Sequence, residues 1–342
     1  MPKTSKSNIK KFKVGGNMKR NGTATLTAAA LAMACSFSTA SWAQSAAKVE
    51  RISIATGAIG GIYHVLGGGM AKLLREKLNG VDVTAETTNA SVDNMRLVGT
   101  KQADIGFGTS VAIVQGVKGD GPFKGTKYPV AGLANIYPQF LWAVTVEGTS
   151  INTLADLKGK RVSTSNPGSG SELDALNILK AVGLGVGDIK RERLPPQQAA
   201  EALKDRRIDA LLHTAGQRQP AWEDIANTPG TTIKFLDTSA AVPGLQGEWG
   251  NSVYFNLTLP KGTYKGQQAE VPMAGGGNSL FVREDLPEEL VYQITKHLMD
   301  NLDELAKVHP EARNIKLETA ANTPVPLHSG AARYFKEKGL LK

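Results

Sequence analysis

Three times in the first third of the chain, a short apolar strand runs into a turn of glycines or hydroxyl residues and then into a helix. The first copy spans 52–78. Ile52 and Ile54 alternate with polar neighbours, Gly57, Gly60 and Gly61 form the turn, and Ile62, Val65, Leu66, Met70, Leu73 and Leu74 recur at helical spacing. The second places a strand at 82–86, a polar turn at 87–91 and a helix at 92–98, with Ser91 as N-cap and Asn94 at the third helical position. The third leads the strand 103–108 into Thr109 and Ser110. Units of this kind predict an α/β fold, and in open parallel sheets ligands sit beyond the carboxyl ends of the strands. A helix entered through glycine presents unpaired backbone N–H groups and the positive end of its dipole, which together favour an anion. A tight turn with no ligand fits the same residues. The order of glycines at 57–61 is neither a dinucleotide fingerprint nor a P-loop.

A further unit follows. An apolar strand is expected at 140–146 and another at 162–165. The loop 166–171 then enters a helix at 172–182, with Leu173, Leu176, Leu179 and Val182 facing inward. Ser169, Gly170 and Ser171 at that helix start form a candidate carboxylate cradle of backbone and hydroxyl donors; plain serine capping is the competing reading. A short helix at 199–204 precedes a strand at 208–212. In the turn beyond it, Arg218 is a candidate for bidentate contact with a carboxylate, against the commoner role of a solvent-facing arginine. The Gly- and Lys-rich stretch 116–128 reads as a solvated loop, 278–283 as a strand, and 286–308 as one long helix. Its stripe is Leu286, Leu290, Ile294, Leu298, Leu302 and Leu305.

The formal charge of +9 suggests a nucleic-acid partner until its distribution is considered. Residues 1–43 hold seven Lys and Arg and no Asp or Glu, so their removal lowers +9 to +2. That segment reads as a secretory signal peptide: a basic start, a short apolar run at 24–37, and a small-x-small cleavage site at Ser41-Trp42-Ala43. The mature chain is then expected to begin at Gln44, outside the cytoplasmic membrane, with no nucleic-acid partner. Lipoprotein processing at Cys35 is the rival. Cleavage after Ala43 removes the single cysteine, leaving neither disulfide nor thiol chemistry. The five histidines show no metal-binding spacing, and no complete G-x-S-x-G surrounds Ser110 or Ser171. Neither a cofactor nor a metal is expected.

The segments GAIGGIY, LKGKRVSTSNPGSGSE, RIDA, KGTYKGQ and PLHSGAARYF, in this order behind a leader, resemble the TAXI-type solute receptors of TRAP transporters. The chain departs from that pattern at Ala90 (usually glycine) and at Val111 (often aspartate), and its turn around Arg218 is longer. The resemblance implies a two-lobed periplasmic binding protein fold of type II, with lobe one at 44–143 plus 275–342 and lobe two at 144–274. Two hinge crossovers would lie near 140–146 and 278–283. It implies a binding protein rather than an enzyme, a monomer that holds a small anion (glutamate-like or a dicarboxylate) and delivers it to TRAP membrane permease subunits. Gly60, Gly61, Tyr63, Ser91, Asn94, Thr109, Ser110, Ser169, Gly170, Ser171 and Arg218 are the residues expected at the ligand. A binding protein of another transporter, a sensor, or a secreted serine hydrolase using Ser110 or Ser171 are the alternatives.

Overall fold

The computed structural model describes residues 51–59 and 61–341. Gly60, the proposed leader, Cys35 and the cleavage site lie outside the described residues. The three opening units form as expected. They are β1 (Arg51–Ala55) and α1 (Ile62–Lys77), β2 (Asp82–Glu86) and α2 (Ser91–Gly99), then β3 (Ile105–Thr109) and α3 (Ser110–Lys118), followed by β4 (Val130–Asn135). The middle of the chain supplies β5 (Gln139–Val146), β6 (Arg161–Ser163), α4 (Gly170–Ala181), β7 (Lys190–Glu192), α5 (Pro196–Lys204) and β8 (Ala210–Ala215). It continues with α6 (Pro220–Asn227), β9 (Ile233–Phe235), α7 (Val242–Trp249), β10 (Tyr254–Leu259) and β11 (Val271–Gly276). The chain closes with β12 (Asn278–Arg283), α8 (Glu288–Met299), α9 (Leu302–Val308), α10 (Leu317–Ala320) and α11 (Ser329–Glu337).

Two sheets result, each flanked by helices, giving the expected two-lobed α/β fold. The first has the order β2-β1-β3-β12-β4, parallel from β2 to β3 and antiparallel around β12. The second runs β10-β11-β5-β8-β6-β7, with β9 paired to the far end of β5. The chain leaves the first sheet through 136–138 and returns to it through Gly277, so two short strand-to-strand passages join the lobes. The apolar run of β5 is buried along its whole length because neighbours flank both its edges. Its Trp142 ring lies 5.3 Å from both Phe140 and Phe235 and meets Tyr264 edge-on at 5.9 Å. Aromatic contacts of this kind add to the burial of the rings themselves.

Three local expectations need correction. The stretch 286–308 is two helices, α8 and α9, broken at Asp300 and Asn301; Asn301 has φ −125° and ψ 34°, outside helical geometry. The apolar repeat runs through the break because both helices pack on α1. Leu290 and Leu302 are consequently only partly buried. The stretch 116–128 is not all solvated: α3 reaches Lys118, and Phe123 is buried against Met95 and its neighbours. In α4 the buried stripe is Asp174, Ala175, Ile178 and Leu179; of the expected residues Leu179 is buried, whereas Leu173, Leu176 and Val182 are only partly covered, and Asp174 turns inward to accept a hydrogen bond from the Tyr254 hydroxyl at 2.6 Å.

Candidate functional site

Four helices begin where strands end, but their free N–H groups meet different partners. At α2, the amides of Val92 and Asp93 both donate to the carbonyl of Gly168, from the loop before α4 in the other lobe, at 3.1 and 3.3 Å. At α3, the amide of Ser110 donates to the carbonyl of Gly277 at 2.9 Å. The starts of α1 and α4 are left to face one space. Gly61 caps α1 in extended geometry without a side chain, and Ser169 caps α4, accepting from the amide of Glu172 at 3.1 Å. The first amides of each helix have no carbonyl four residues back to bond.

Between these two starts lies a cavity of about 70 Å³, walled by both lobes. Of the residues expected at the ligand, Gly61, Tyr63, Ser91, Thr109, Ser169, Gly170 and Ser171 line it. Gly60 lies outside the described residues. Asn94, Ser110 and Arg218 are placed elsewhere. Asn94 is fully buried and donates to the carbonyls of Thr56 and Phe107 at 2.7 and 2.9 Å, tying the ends of β1 and β3 together. Ser110 sits behind Thr109 against Gly277. Arg218 is largely exposed and pairs with Glu223 at 3.0 Å.

The wall also holds residues that sequence reasoning passed over: Tyr137, Gln139, His213, Thr214 and Gln219. Five lining side chains, each at most 5% exposed, carry a polar atom without a hydrogen bond of ordinary geometry: the hydroxyls of Thr109, Tyr137 and Thr214 and the amide oxygens of Gln139 and Gln219. Of these, the Thr214 hydroxyl lies beside the Asp174 carboxylate and the Tyr137 hydroxyl beside the Asn278 side chain, which leaves Thr109, Gln139 and Gln219 without a neighbour to bond. Buried polar groups are normally paired, so unmet hydrogen-bonding capacity is concentrated around this one cavity. The Gln139 amide oxygen is left free because its nitrogen donates to the Tyr63 hydroxyl at 3.2 Å, which in turn donates to Asn278 at 2.7 Å. Among the described residues no Asp, Glu, Lys or Arg lines the cavity.

His213 is held at Nδ1 by the Ser165 hydroxyl at 3.0 Å and stands edge-on to Trp222. The residue is half-buried and lines the cavity. Burial lowers its pKa to about 3, so the ring is neutral. Asp174, one turn into α4, is 1% exposed; burial raises its pKa to about 6, against the pull of the Tyr254 hydroxyl toward the charged form.

Ala90, also in the wall, adopts φ 77° and ψ −145°, a conformation close to one that essentially only glycine tolerates. It is held there by α2, whose start must meet Gly168. Replacing it with glycine relieves the strain but loosens the unfolded chain. Ala90→Gly is expected to raise stability by about 1 kcal/mol in urea unfolding. A loss of stability would show that Ala90 is unstrained.

A protein-family model described as the NMT1-like family matches residues 54–339, the whole of both lobes apart from their termini. The chain belongs to the NMT1-like family. Among solved structures, a protein of Bordetella bronchiseptica RB50 is 18% identical, with a TM-score of 0.50 over 86% of this chain and 90% of that chain. The periplasmic aliphatic sulphonate binding protein SsuA from Escherichia coli is 14% identical, TM-score 0.46, over 86% and 94% of the two chains. The alkanesulfonate-binding protein SsuA from Xanthomonas axonopodis pv. citri, bound to MOPS, is 15% identical, TM-score 0.47, over 87% and 96%. Likeness at these identities speaks to fold alone. Among the described residues of this NMT1-like protein, no cluster of His, Cys, Asp or Glu could hold a metal, and no helix is long and apolar enough to cross a membrane.

Proposed function

We propose that this chain is an extracytoplasmic solute-binding protein that closes its two lobes on a small carboxylate and delivers it to a membrane permease of the TRAP type. The observation that carries the reading is the convergence of two helix starts, one from each lobe, on a cavity ringed by buried polar atoms without partners. Helix starts favour negative charge, and hydroxyls add neutral donors. A ligand held by both lobes couples binding to hinge closure. The resemblance of its sequence segments to TAXI-type receptors favours a TRAP permease as the recipient.

A secreted serine hydrolase has less support. The Ser171 hydroxyl donates to the carbonyl of Thr214 at 3.0 Å, and Ser110 lies off the cavity. Ser165 does meet His213, but it is not part of the cavity wall.

A thermal-shift screen of small carboxylates tests the reading, because a ligand at 100 times its Kd adds about 2.7 kcal/mol of stability. The expected result is a raised melting temperature with at least one carboxylate, together with co-purification of a TRAP permease. Co-purification of an ABC permease would reassign the recipient. A shift confined to neutral or cationic solutes would overturn the carboxylate, and labelling by a fluorophosphonate would favour the hydrolase.

A further inference from the structure

The resemblance implied a glutamate-like ligand or a dicarboxylate. The site geometry is narrower than that. The starts of α1 and α4 do not form two separate cradles; Gly61, Ile62 and Tyr63 of the first and Ser169, Gly170 and Ser171 of the second wall the same cavity. The start of α2, which would have offered another anion site, is taken by the carbonyl of Gly168. A single carboxylate can therefore use the amides of both lobes at once.

What remains of the wall does not suit a second carboxylate. It contains no cation among the described residues, and the Gln139 and Gln219 amide oxygens are acceptors that call for an O–H or N–H. Asp174 stands three residues beyond Ser171 on the same face of α4, buried and paired with no cation among the described residues. It lies behind the wall rather than in it, held by the Tyr254 hydroxyl, and its charge opposes a second anion brought close to it.

We propose that the cavity takes a small monocarboxylate bearing a hydroxyl or N–H group and rejects the corresponding dicarboxylate. One oxygen of the carboxylate would meet the amides of α1 and the other those of α4, with the hydroxyls of Thr109, Tyr137 and Thr214 around them. The ligand's own donor would reach Gln139 or Gln219. The proposal rests on the carboxylate reading given above.

Calorimetry on the purified protein with two matched pairs tests it: 2-hydroxypropanoate against hydroxybutanedioate, and alanine against aspartate. At least one pair is expected to show its shorter member binding ten-fold or more tightly. Asp174→Asn, which keeps the hydrogen bond to Tyr254, is expected to narrow that ratio severalfold. A dicarboxylate that binds as tightly as its shorter partner, or more tightly, overturns the monocarboxylate proposal and leaves the carboxylate reading standing. Failure of all four, with melting shifts only from neutral or cationic solutes, overturns the carboxylate reading itself.

Discussion

Gly170→Val is expected to weaken ligand binding by 100-fold or more while leaving the unliganded melting temperature nearly unchanged. A Cβ at residue 170 would lie 2.4 Å from the Thr109 hydroxyl oxygen and 2.6 Å from that of Ser91. Both hydroxyls belong to the first lobe, whereas Gly170 opens α4 in the second. The added bulk therefore does not crowd either lobe's own core; it stops the two from meeting. A 100-fold loss corresponds to about 2.7 kcal/mol. Gly187→Val is the control, since nothing stands within 4 Å of a Cβ built there. Small-angle scattering at saturating ligand should show wild type and Gly187→Val contracting and Gly170→Val failing to contract. Wild-type affinity in Gly170→Val would mean that the lobes do not close through this contact.

The second large effect is on acid stability. The folded pKa of His213, about 3, lies below the ordinary 6.5, so the unfolded chain takes up a proton that the folded chain resists. This contribution is intact above pH 6.5 and is lost as the pH falls toward 3. Asp174 has the opposite sign. Its folded pKa of about 6 exceeds the ordinary 3.8, so its penalty is present at neutral pH and fades as the pH falls from 6 to 3.8. Comparing wild type with His213→Gln isolates the histidine. The stability difference should move in favour of the variant by about 3 kcal/mol between pH 7 and pH 4. Urea unfolding across that range measures it; parallel curves would mean that His213 is readily protonated in the folded protein.

The sequence made part of this site legible and hid the rest for a physical reason. Ser169, Gly170 and Gly61 were readable because helix starts have a local signature, with turn residues immediately before an apolar repeat. The strand-to-helix units of the first lobe were readable for the same reason. Tyr137 and Gln139 gave no such signal: Tyr137 lies in the passage from the first sheet to the second and Gln139 opens β5, and their place at the cavity depends on groups brought in from distant parts of the chain. His213 and Thr214 interrupt an apolar strand, an irregularity that could have marked them, as could Gln139 at the head of a strand buried along its whole length. Arg218 and Asn94 show the reverse. Their side-chain chemistry suits a ligand, but Arg218 spends it on Glu223, and Asn94 on the carbonyls of Thr56 and Phe107.

The hold of α2 on Gly168 has a bearing on how the receptor would cycle. The two amide bonds, with a third from the Asn166 side chain to the carbonyl of Asn89 at 3.3 Å, join lobe to lobe without passing through the solute. On the proposed function, they would lower the free energy of a shut receptor whether or not cargo is aboard. A larger standing fraction of shut receptor has two opposed effects, since ligand affinity depends on how often the competent conformer is already present. It would tighten capture at low solute concentration, and it would let cargo-free receptors occupy the permease in competition with loaded ones. Flux at saturating receptor would then be limited by how well the permease distinguishes two shut forms that differ only in a pocket of about 70 Å³.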